Sequence, residues 1–338
     1  MERLFSLLVI VFYHQIALCQ VNLNIDINAR QLTSMKLSDI SAESRFVALK
    51  MDSIRCIVTD KYLFVAGGRF KGVNQFDMTG KLIKKFNTDN ERFLFRCDSK
   101  NNRLIFIYGN EGNELAFWDF NGNFIKKIVL PVVQEKSTVR DIIGFDKDCI
   151  WISYQIWKKQ SEKAVIRIYR LNIENERQDT VLEREFPIPQ LPFFYKVWYS
   201  SFGGNSYLGF HDNIIYEFDG KNIHPAVKYN IHNYRDEQSY MMHYSLFAGR
   251  YLTIRYGSSM SNCMLFWYDT KDKRTWQIKI KDWNGNGGIE DDIFYTGTCD
   301  NYWFNDDFLV FRKKSNELPK EMNIEKEHTV FFITKLKQ

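Results

Sequence analysis

One short stretch of the sequence, DWNGNGGIE from Asp282 to Glu290, has the residue types and spacing of a calcium-binding loop. Its oxygen-bearing side chains occupy the first, third, fifth and ninth loop positions: Asp282, Asn284, Asn286 and Glu290. Gly287 takes the sixth position, where such loops make a sharp turn. A hard cation needs several oxygen ligands, and the turn holds them around it. Ile293, however, stands where a bidentate Glu would complete an EF-hand. The stretch predicts either a calcium site or a plain Asn-Gly turn, and the neutral amides favour the turn.

Two sets of charged residues could together bind an anion near the centre of the fold. Arg55, Arg96 and Arg140 stand near the starts of three successive apolar segments, and Asp291 and Asp292 stand near the start of the last one. If these segments are the innermost strands of a ring, their side chains would line its channel. The arginines and aspartates would then either hold an anionic ligand or neutralise one another, and mutual neutralisation is favoured.

Aromatic and guanidinium groups in five predicted loops are candidates for ligand contact. Flat rings stack on sugar and peptide faces, and Arg forms paired hydrogen bonds with carboxylates. The candidates are Arg69, Trp157, Tyr195, Tyr234, Arg235 and Trp283. The simpler interpretation, that these residues only pack the loops, is favoured over ligand binding.

The sequence predicts no catalytic residue. Four histidines, at 211, 224, 232 and 243, fall in different predicted strands and loops, so a zinc site is disfavoured. No G-x-S-x-G elbow, P-loop or dinucleotide-binding G-x-G-x-x-G motif is present. Catalysis would therefore require groups that converge only in the folded chain.

Residues 1–19 have the layout of a secretory signal peptide, with one arginine before an apolar run at 4–13. That run is too short to span a bilayer. Cleavage after Cys19 would expose Gln20. A lipid anchor at Cys19 is the alternative, although Leu18 stands where lipoproteins carry a small residue. We expect export to the periplasm, the cell surface or the medium, with no transmembrane helix in the mature chain.

Composition narrows the class of protein further. Aromatic residues make up 16% of the chain, which favours pleated sheets. The net charge of +5 is mild and its lysines and arginines are scattered among acids, so nucleic-acid binding is disfavoured. Five widely separated cysteines remain beyond the signal, and their odd number predicts buried free thiols rather than a disulfide framework.

Two segments that begin 42 residues apart have similar sequences: QFDMTGKLIKKF from Gln75 and FWDFNGNFIKKI from Phe117. Each copy alternates bulky residues around a Gly-containing turn, which predicts a β-hairpin. The Asp before the turn recurs as Asp219 and Asp269. The unit between Asp119 and Asp219, which contains IYRLNIENERQDTV from Ile168, keeps the turn without the Asp.

A second hairpin precedes each of these copies, so each unit holds about four strands and spans about 40–50 residues, as in a β-propeller blade. The predicted units are 52–87, 92–130, 138–187, 195–230, 241–281 and 290–336. The last unit lacks a fourth strand, and 44–50 is otherwise unassigned. We therefore predict an all-β, six-bladed propeller at 44–338, closed by 44–50 and preceded by a lead segment at 20–43.

The stretches KLSDISAESRFVALKMD and YLFVAGGRFKGVNQFDMTGKLIKKF resemble six-bladed β-propeller proteins exported by Bacteroidales, an NHL-like family of largely unassigned function. GGIEDDIFYTG is also similar to the start of their last blade. The resemblance implies a secreted or surface-anchored propeller and supplies no catalytic residues. The chain departs from the pattern at Lys50, where an acid is expected, and at YWFND, where Trp-Pro is usual.

These observations predict a non-catalytic binding or scaffold module for a glycan, a peptide or an envelope protein. The alternative is a metal-dependent lyase or lactonase with its site at the channel. That alternative needs several acidic or amide side chains to meet at one point, which sequence by itself does not show.

Overall fold

The computed structural model describes residues 21–26, 34–51, 53–67, 72–87, 93–108, 113–130, 137–145, 148–158, 163–187, 198–202, 205–209, 213–219, 222–232, 241–259, 262–281, 287–300, 302–305 and 307–338. The predicted signal peptide lies outside these residues. The described chain begins with three strands and one short helix. The strands β1 (Val21–Asp26), β2 (Met35–Lys36) and β3 (Ser41–Leu49) join three different sheets, and the helix α1 (Leu37–Ile40) lies between β2 and β3.

The next two sheets are antiparallel meanders, in which each strand pairs with the one before it. The first contains β4 (Ser53–Val58), β5 (Tyr62–Gly67), β6 (Val73–Asp77) and β7 (Leu82–Phe86). The second contains β8 (Phe93–Asp98), β9 (Arg103–Tyr108), β10 (Glu114–Asp119) and β11 (Phe124–Val129). The repeated motif therefore forms the last hairpin of each sheet, as predicted.

Three further meanders follow the same order. The third sheet contains β12 (Ser137–Phe145), β13 (Cys149–Lys158), β14 (Lys163–Asn172) and β15 (Gln178–Pro187). The fourth contains β16 (Trp198–Phe202), β17 (Asn205–Gly209), β18 (Ile214–Phe218) and β19 (Ile223–His232). The fifth contains β20 (Met241–Ala248), β21 (Tyr251–Ser259), β22 (Asn262–Asp269) and β23 (Thr275–Ile280).

The last meander draws its outer strand from the start of the chain. It contains β26 (Trp303–Asn305), β27 (Phe308–Lys314), β28 (Thr329–Leu336) and then β3. The 3-10 helices η1 (Ser315–Glu317) and η2 (Lys320–Met322) connect β27 to β28. Phe46 on β3 lies opposite Phe332 on β28 in an antiparallel register. The predicted closure by 44–50 is confirmed, and it covers the edge that β28 would otherwise expose.

The prediction of six blades is corrected by the structure, whose described residues form seven sheets. The additional sheet has three strands: β2, β24 (Ile289–Asp291) and β25 (Gly297–Thr298). These strands are only two or three residues long, and β24 pairs with β2 in parallel. Sequence periodicity merged β24 and β25 with the last meander and left β2 in the lead segment, because such short strands carry no alternation that can be recognised.

The predicted lead segment at 20–43 supplies a strand to the fourth sheet, because β1 adds to the outer edge of β19. The two strands run parallel, with Val21 opposite Val227 and Asp26 opposite His232. Leu23 and Ile25 are buried, so alternate residues of β1 pack into the core. The fourth sheet therefore has five strands, and β1 covers an edge that would otherwise be open.

Apolar side chains fill the spaces between successive meanders. Representative buried pairs of neighbouring sheets are Phe64 with Phe106, Phe117 with Ile152, Trp151 with Phe218, Tyr229 with Tyr256, and Trp267 with Phe332. One further cluster joins the last meander to the first through Val310 and Val65. The series of meanders thus closes on itself, which is the geometry of a β-propeller. Of the five described cysteines, all free, four are buried, as expected.

The recurring Asp is explained by the turn that follows it. The Asp77 carboxylate accepts hydrogen bonds from Thr79 N (2.9 Å) and Lys81 N (3.0 Å), and Asp119 accepts one from Asn123 N (2.7 Å). In the third sheet Asn172 takes this place and accepts from Glu174 N at 2.9 Å. A short side chain that caps its own turn selects Asp or Asn, so the motif is structural.

The repeated lysine pair has a second structural role, which links neighbouring sheets. Lys84 Nζ on β7 donates to Asn121 O (2.5 Å), in the turn of the next sheet. Lys126 Nζ on β11 likewise donates to Ile173 O (2.7 Å), one sheet further on. Gly122, with φ +80°, leaves the space in which Lys84 lies, since a Cβ there would be 2.3 Å from Lys84 Cε. The repeated motif therefore builds contacts between sheets as well as hairpins.

Candidate functional site

Most of the predicted loop residues lie outside the described part of the chain. These are Arg69, Tyr195, Tyr234, Arg235 and Trp283 among the ligand candidates, and Asp282, Asn284 and Asn286 among the calcium candidates. Trp157 lies in β13, paired with Ala164 of β14, and its side chain is outside the description. All of these remain predictions.

Asp291 lies away from the innermost strand where the sequence analysis placed it. It belongs to β24, whereas the first strand of the last meander is β26. Its buried carboxylate accepts hydrogen bonds from Phe294 N (2.9 Å), Thr296 N (3.1 Å) and Thr296 Oγ1. Because both carboxylate oxygens are used within one loop, Asp291 holds that loop in place in this structure. Phe294 of the same loop contacts Phe46 on the outermost strand, β3, with ring centroids 6.2 Å apart.

Asp292 lies beside α1 and binds Ser38. Its carboxylate accepts hydrogen bonds from Ser38 N (3.0 Å) and Ser38 Oγ (2.5 Å). Partial burial alone would raise the pKa of Asp292, but these hydrogen bonds hold that pKa below its usual value. The expected placement of both aspartates at the innermost strand is therefore wrong, because β24 pairs with β2 and β25. Ligand binding by either aspartate stays a prediction.

The predicted calcium loop is described only at its end. Glu290 is exposed on β24, and Gly287 has φ +78°. Gly287 N donates to Asp300 Oδ1 at 2.9 Å, which also accepts from Thr298 Oγ1 at 2.9 Å. Asp300 therefore holds the described end of the loop.

Three innermost strands bring charged side chains together. Arg96 on β8 forms an ion pair with Asp141 on β12, in the neighbouring sheet. Both side chains are largely buried, with 17% and 12% of their surface exposed. Arg55 on β4 lies over the Phe95 ring, with its guanidinium carbon 5.6 Å from the ring centroid. The first strands of three successive sheets thus place two guanidinium groups and one carboxylate in one cluster, which we call the Arg55 cluster.

The electrostatics of the Arg55 cluster favour a further anion. Burial and then the nearby Arg96 charge lower the pKa of Arg55 to about 10, and the Asp141 charge opposes this shift. Within the described residues, Arg55 has no salt-bridge partner, so Asp141 acts on it only through the electric field. A desolvated guanidinium beside a second cation is a costly arrangement unless an anion compensates it.

Asp141 itself is only partly satisfied. Its Oδ2 accepts the Arg96 hydrogen bond, whereas its Oδ1 is buried and has no hydrogen-bond partner in the described structure. Arg96 also donates through Nη1 to Phe95 O at 3.0 Å, so the orientation of its guanidinium is fixed from two sides. The ion pair is therefore a rigid support beside Arg55.

Arg55 and Arg96 were predicted from the sequence as possible site residues, whereas Asp141 was not. The signal was present, because Asp141 follows Arg140 in the predicted first strand of the third unit. Strand position alone, however, does not reveal which side chains meet across neighbouring sheets. Arg140 lies on β12, and its side chain is outside the description. The acidic partner comes from the third sheet and not from the last one.

Two features are missing from the described segments. No helix in these segments is long and apolar enough to cross a membrane. Across the same segments, no group of three or more His, Cys, Asp or Glu side chains is arranged to hold a metal ion.

The closed series of antiparallel meanders defines a β-propeller. No family model matches the sequence, and no curated protein matches it either. Among solved structures, a candidate exported protein of Bacteroides fragilis is similar over 94% of this chain and 100% of its own, with a TM-score of 0.58 and 12% identity. At that identity the likeness shows the fold alone.

Two weaker likenesses carry no argument about this chain. The WD40 domain of SCAP from fission yeast has a TM-score of 0.43 at 10% identity, with 80% of this chain and 66% of that one covered. Puromycin hydrolase has a TM-score of 0.40 at 7% identity, with 78% of this chain and 50% of the hydrolase covered.

Proposed function

We propose that the protein is an exported, non-catalytic binding module whose Arg55 cluster recognises an anionic group on a glycan, a peptide or an envelope protein. The observation that carries this proposal is the desolvated Arg55 guanidinium beside the Arg96–Asp141 ion pair. With a pKa of about 10, Arg55 stays protonated at neutral pH. An anion would offset the repulsion between Arg55 and Arg96, and a planar guanidinium can bind a carboxylate through two parallel hydrogen bonds.

Binding measurements on the mature chain test the proposal. We would titrate residues 20–338 with acidic oligosaccharides and with peptides that have free C-terminal carboxylates, and use their neutral amides as controls. At least one anionic ligand should bind, and its amide should bind at least tenfold more weakly. Arg55→Gln should weaken binding by tenfold or more, because a charge-assisted hydrogen bond is lost.

Arg177→Gln is the matched control, because Arg177 is an exposed arginine paired with Asp179 on β15. It should leave the affinity unchanged. Arg55→Lys keeps the charge but loses the planar fork, so its affinity should be intermediate. Equal binding of the anionic ligands and their amides would overturn the proposal, as would equal losses in the Arg55→Gln and Arg177→Gln variants.

Export is supported by the layout of residues 1–19 and agrees with the Bacteroides fragilis neighbour. Cell fractionation of the full chain, with mass spectrometry of its N-terminus, tests this part separately. We expect a chain that begins at Gln20 in the periplasmic, surface or medium fraction. A lipid-modified Cys19 would identify an anchored form instead, and a cytoplasmic chain that keeps Met1 would contradict export.

A scaffold role is favoured by a different observation. Two neighbouring outer strands, β7 and β11, expose large apolar side chains: Leu82, Ile83, Phe124, Ile125 and Val129. Contiguous exposed apolar surface commonly marks a protein contact. Replacement of Ile83 and Ile125 by serine should abolish co-purification with an envelope partner and leave anion binding intact.

The enzyme alternative, a metal-dependent lyase or lactonase, and the calcium site at 282–290 share one test. Elemental analysis of purified protein would measure bound metal, and thermal unfolding with and without EDTA would measure its contribution to stability. Bound metal together with an EDTA-sensitive melting temperature would favour one of them. Loss of the bound metal in the Glu290→Gln variant would then assign that metal to the predicted loop.

A further inference from the structure

We infer that the anion recognised by the Arg55 cluster is a singly charged carboxylate, and that the cluster discriminates against dianions such as phosphate monoesters. This inference rests on the proposed function and names its ligand class. Its basis is the charge balance of the cluster and the position of Asp141, both of which belong to the described residues.

The charge balance matches one negative charge. Arg55 and Arg96 contribute two positive charges and Asp141 contributes one negative charge, which leaves one positive charge (2 − 1 = 1). These two residues are the charged neighbours that shift the pKa of Arg55. A monoanion neutralises the cluster, whereas a dianion would leave an uncompensated negative charge in a partly desolvated place, which is costly.

Asp141 supplies the repulsive element that selects against the second charge. Its carboxylate stays within the field of Arg55, because the ion pair with Arg96 fixes it there. Its Oδ1 has no hydrogen-bond partner in the described structure, so Arg96 is the one described side-chain donor that offsets the negative charge Asp141 presents to a nearby anion. Specificity of this kind comes from repulsion of the wrong ligand as much as from attraction of the right one.

The Arg55 guanidinium does not by its shape distinguish a carboxylate from a phosphate. The discrimination therefore has to come from the charge of the ligand. An arginine fork can bind either a carboxylate or a phosphate through two parallel hydrogen bonds. The Phe95 ring, whose centroid lies 5.6 Å from the Arg55 guanidinium carbon, offers no group that could tell the two anions apart. Ligand charge is therefore the variable that an experiment has to change.

Three sugars with one ring and different charges provide the test: glucuronate with one negative charge, glucose 6-phosphate with nearly two at pH 7.5, and neutral glucose. N-acetylalanine and its amide form a second arm, which represents a peptide C-terminus. Ligand-observed NMR would measure affinities for the mature chain. Glucuronate, N-acetylalanine or both should bind at least tenfold more tightly than glucose 6-phosphate, and the better of the two identifies the source of the carboxylate.

The pH dependence sharpens the test without any mutation. A phosphate monoester has its second pKa near 6, so at pH 5 it becomes largely a monoanion. The affinity for glucose 6-phosphate should therefore rise several-fold between pH 7.5 and pH 5. Glucuronate remains a monoanion over this range and serves as the control for changes in the protein.

Asp141→Asn is the matched variant, because it removes the negative charge and keeps the size of the side chain. The cluster then carries two positive charges, so the preference should shift at least tenfold towards glucose 6-phosphate. Thermal unfolding would show whether this variant is folded, and the wild-type pH series decides the matter if it is not. Selectivity that is unchanged in a folded Asp141→Asn variant would overturn the role of Asp141.

The outcomes separate the inference from the proposed function. If glucose 6-phosphate binds wild-type protein as tightly as the carboxylates at both pH values, the inference is wrong and anion binding stands. If no anion binds more tightly than glucose or the amide, the proposed function itself fails.

Discussion

Two kinds of carboxylate in this protein differ in how far along the chain their hydrogen-bond donors lie. Those in the turns after β6 and β10, Asp77 and Asp119, accept hydrogen bonds from backbone groups within four residues. Asp141 on β12 instead meets a guanidinium 45 residues away and keeps one buried oxygen unpaired among the described residues. A carboxylate that satisfies itself locally repeats with the sequence motif. One that depends on a neighbouring sheet does not repeat with it.

The largest effect should come from breaking the contact between sheets. Asp141→Ala leaves the largely buried Arg96 without its anion, and should destabilise the fold by about 3 kcal/mol, because an uncompensated buried charge is costly. Urea unfolding would measure the change. The double variant Arg96→Met with Asp141→Leu should recover most of the loss, since a well-packed apolar pair can replace an ion pair. Full additivity of the losses in the single variants Arg96→Met and Asp141→Leu would contradict a direct interaction.

The second-largest loss of stability should come from replacing a turn carboxylate that is also buried. Asp269 and Asp272 both bind Arg250 Nη2, at 2.7 Å and 2.6 Å, but Asp269 is 2% exposed and Asp272 is 60% exposed. Asp269→Ala should cost about 2 kcal/mol, because it also removes an acceptor for Lys271 N. Asp272→Ala should stay within about 0.5 kcal/mol, since exposed ion pairs contribute little. Equal losses would show that burial is not what distinguishes the two pairs.

The link between turns and neighbouring sheets gives the third prediction. Gly122→Ala should destabilise by about 1.5 kcal/mol, partly from strain at φ +80° and partly from contact with Lys84. Gly297→Ala is the control, because its φ is +92° and nothing lies within 4 Å of the added Cβ. It should cost only the strain of about 1 kcal/mol. In a Lys84→Ala background, the two glycine variants should become equivalent in urea unfolding.

The smallest effect is a pH dependence of the turns. Hydrogen bonds lower the pKa of Asp77, chiefly from the Thr79 hydroxyl, and that of Asp119, chiefly from Asn123 N. A lowered carboxyl pKa contributes stability above the unfolded pKa of about 3.9, and this stability is lost as pH falls through the folded pKa. The melting temperature should therefore fall below about pH 4.

The variant with Asp77→Asn and Asp119→Asn tests this dependence directly. Asn172 already forms the equivalent turn in the third sheet, so the variant should match the wild type at pH 7. Its melting temperature should fall less steeply below pH 4, because it lacks the two titrating groups. Parallel pH curves for the two proteins would exclude these carboxylates as the cause.

Much of the fold could be predicted because it is local. Each hairpin depends on residues a few positions apart, and the closure by β3 followed from a missing strand at the end of the chain. The small sheet could not be predicted, since β2 and β24 are more than 250 residues apart and too short to show alternation. The addition of β1 to β19 could not be predicted either, because the paired residues Val21 and Val227 are about 200 positions apart in the chain.

The candidate site was only half predictable. Position in the first strands pointed to Arg55 and Arg96, but the register between neighbouring sheets decides that Asp141 meets Arg96. Asp291 has the same residue type, yet its own loop uses both of its oxygens. Residue type and strand position are therefore not enough to assign a role to a carboxylate.

The sequence by itself determined the repeated hairpins, because alternation, turn residues and capping side chains act over a few residues. It also determined that the ring would need a strand from its own beginning. Tertiary structure alone decided which charges meet at the inner strands, because those contacts depend on how the sheets are rotated against each other. The physical reason is range: a turn is closed by its own atoms, whereas a charge cluster needs three strands that no local pattern relates.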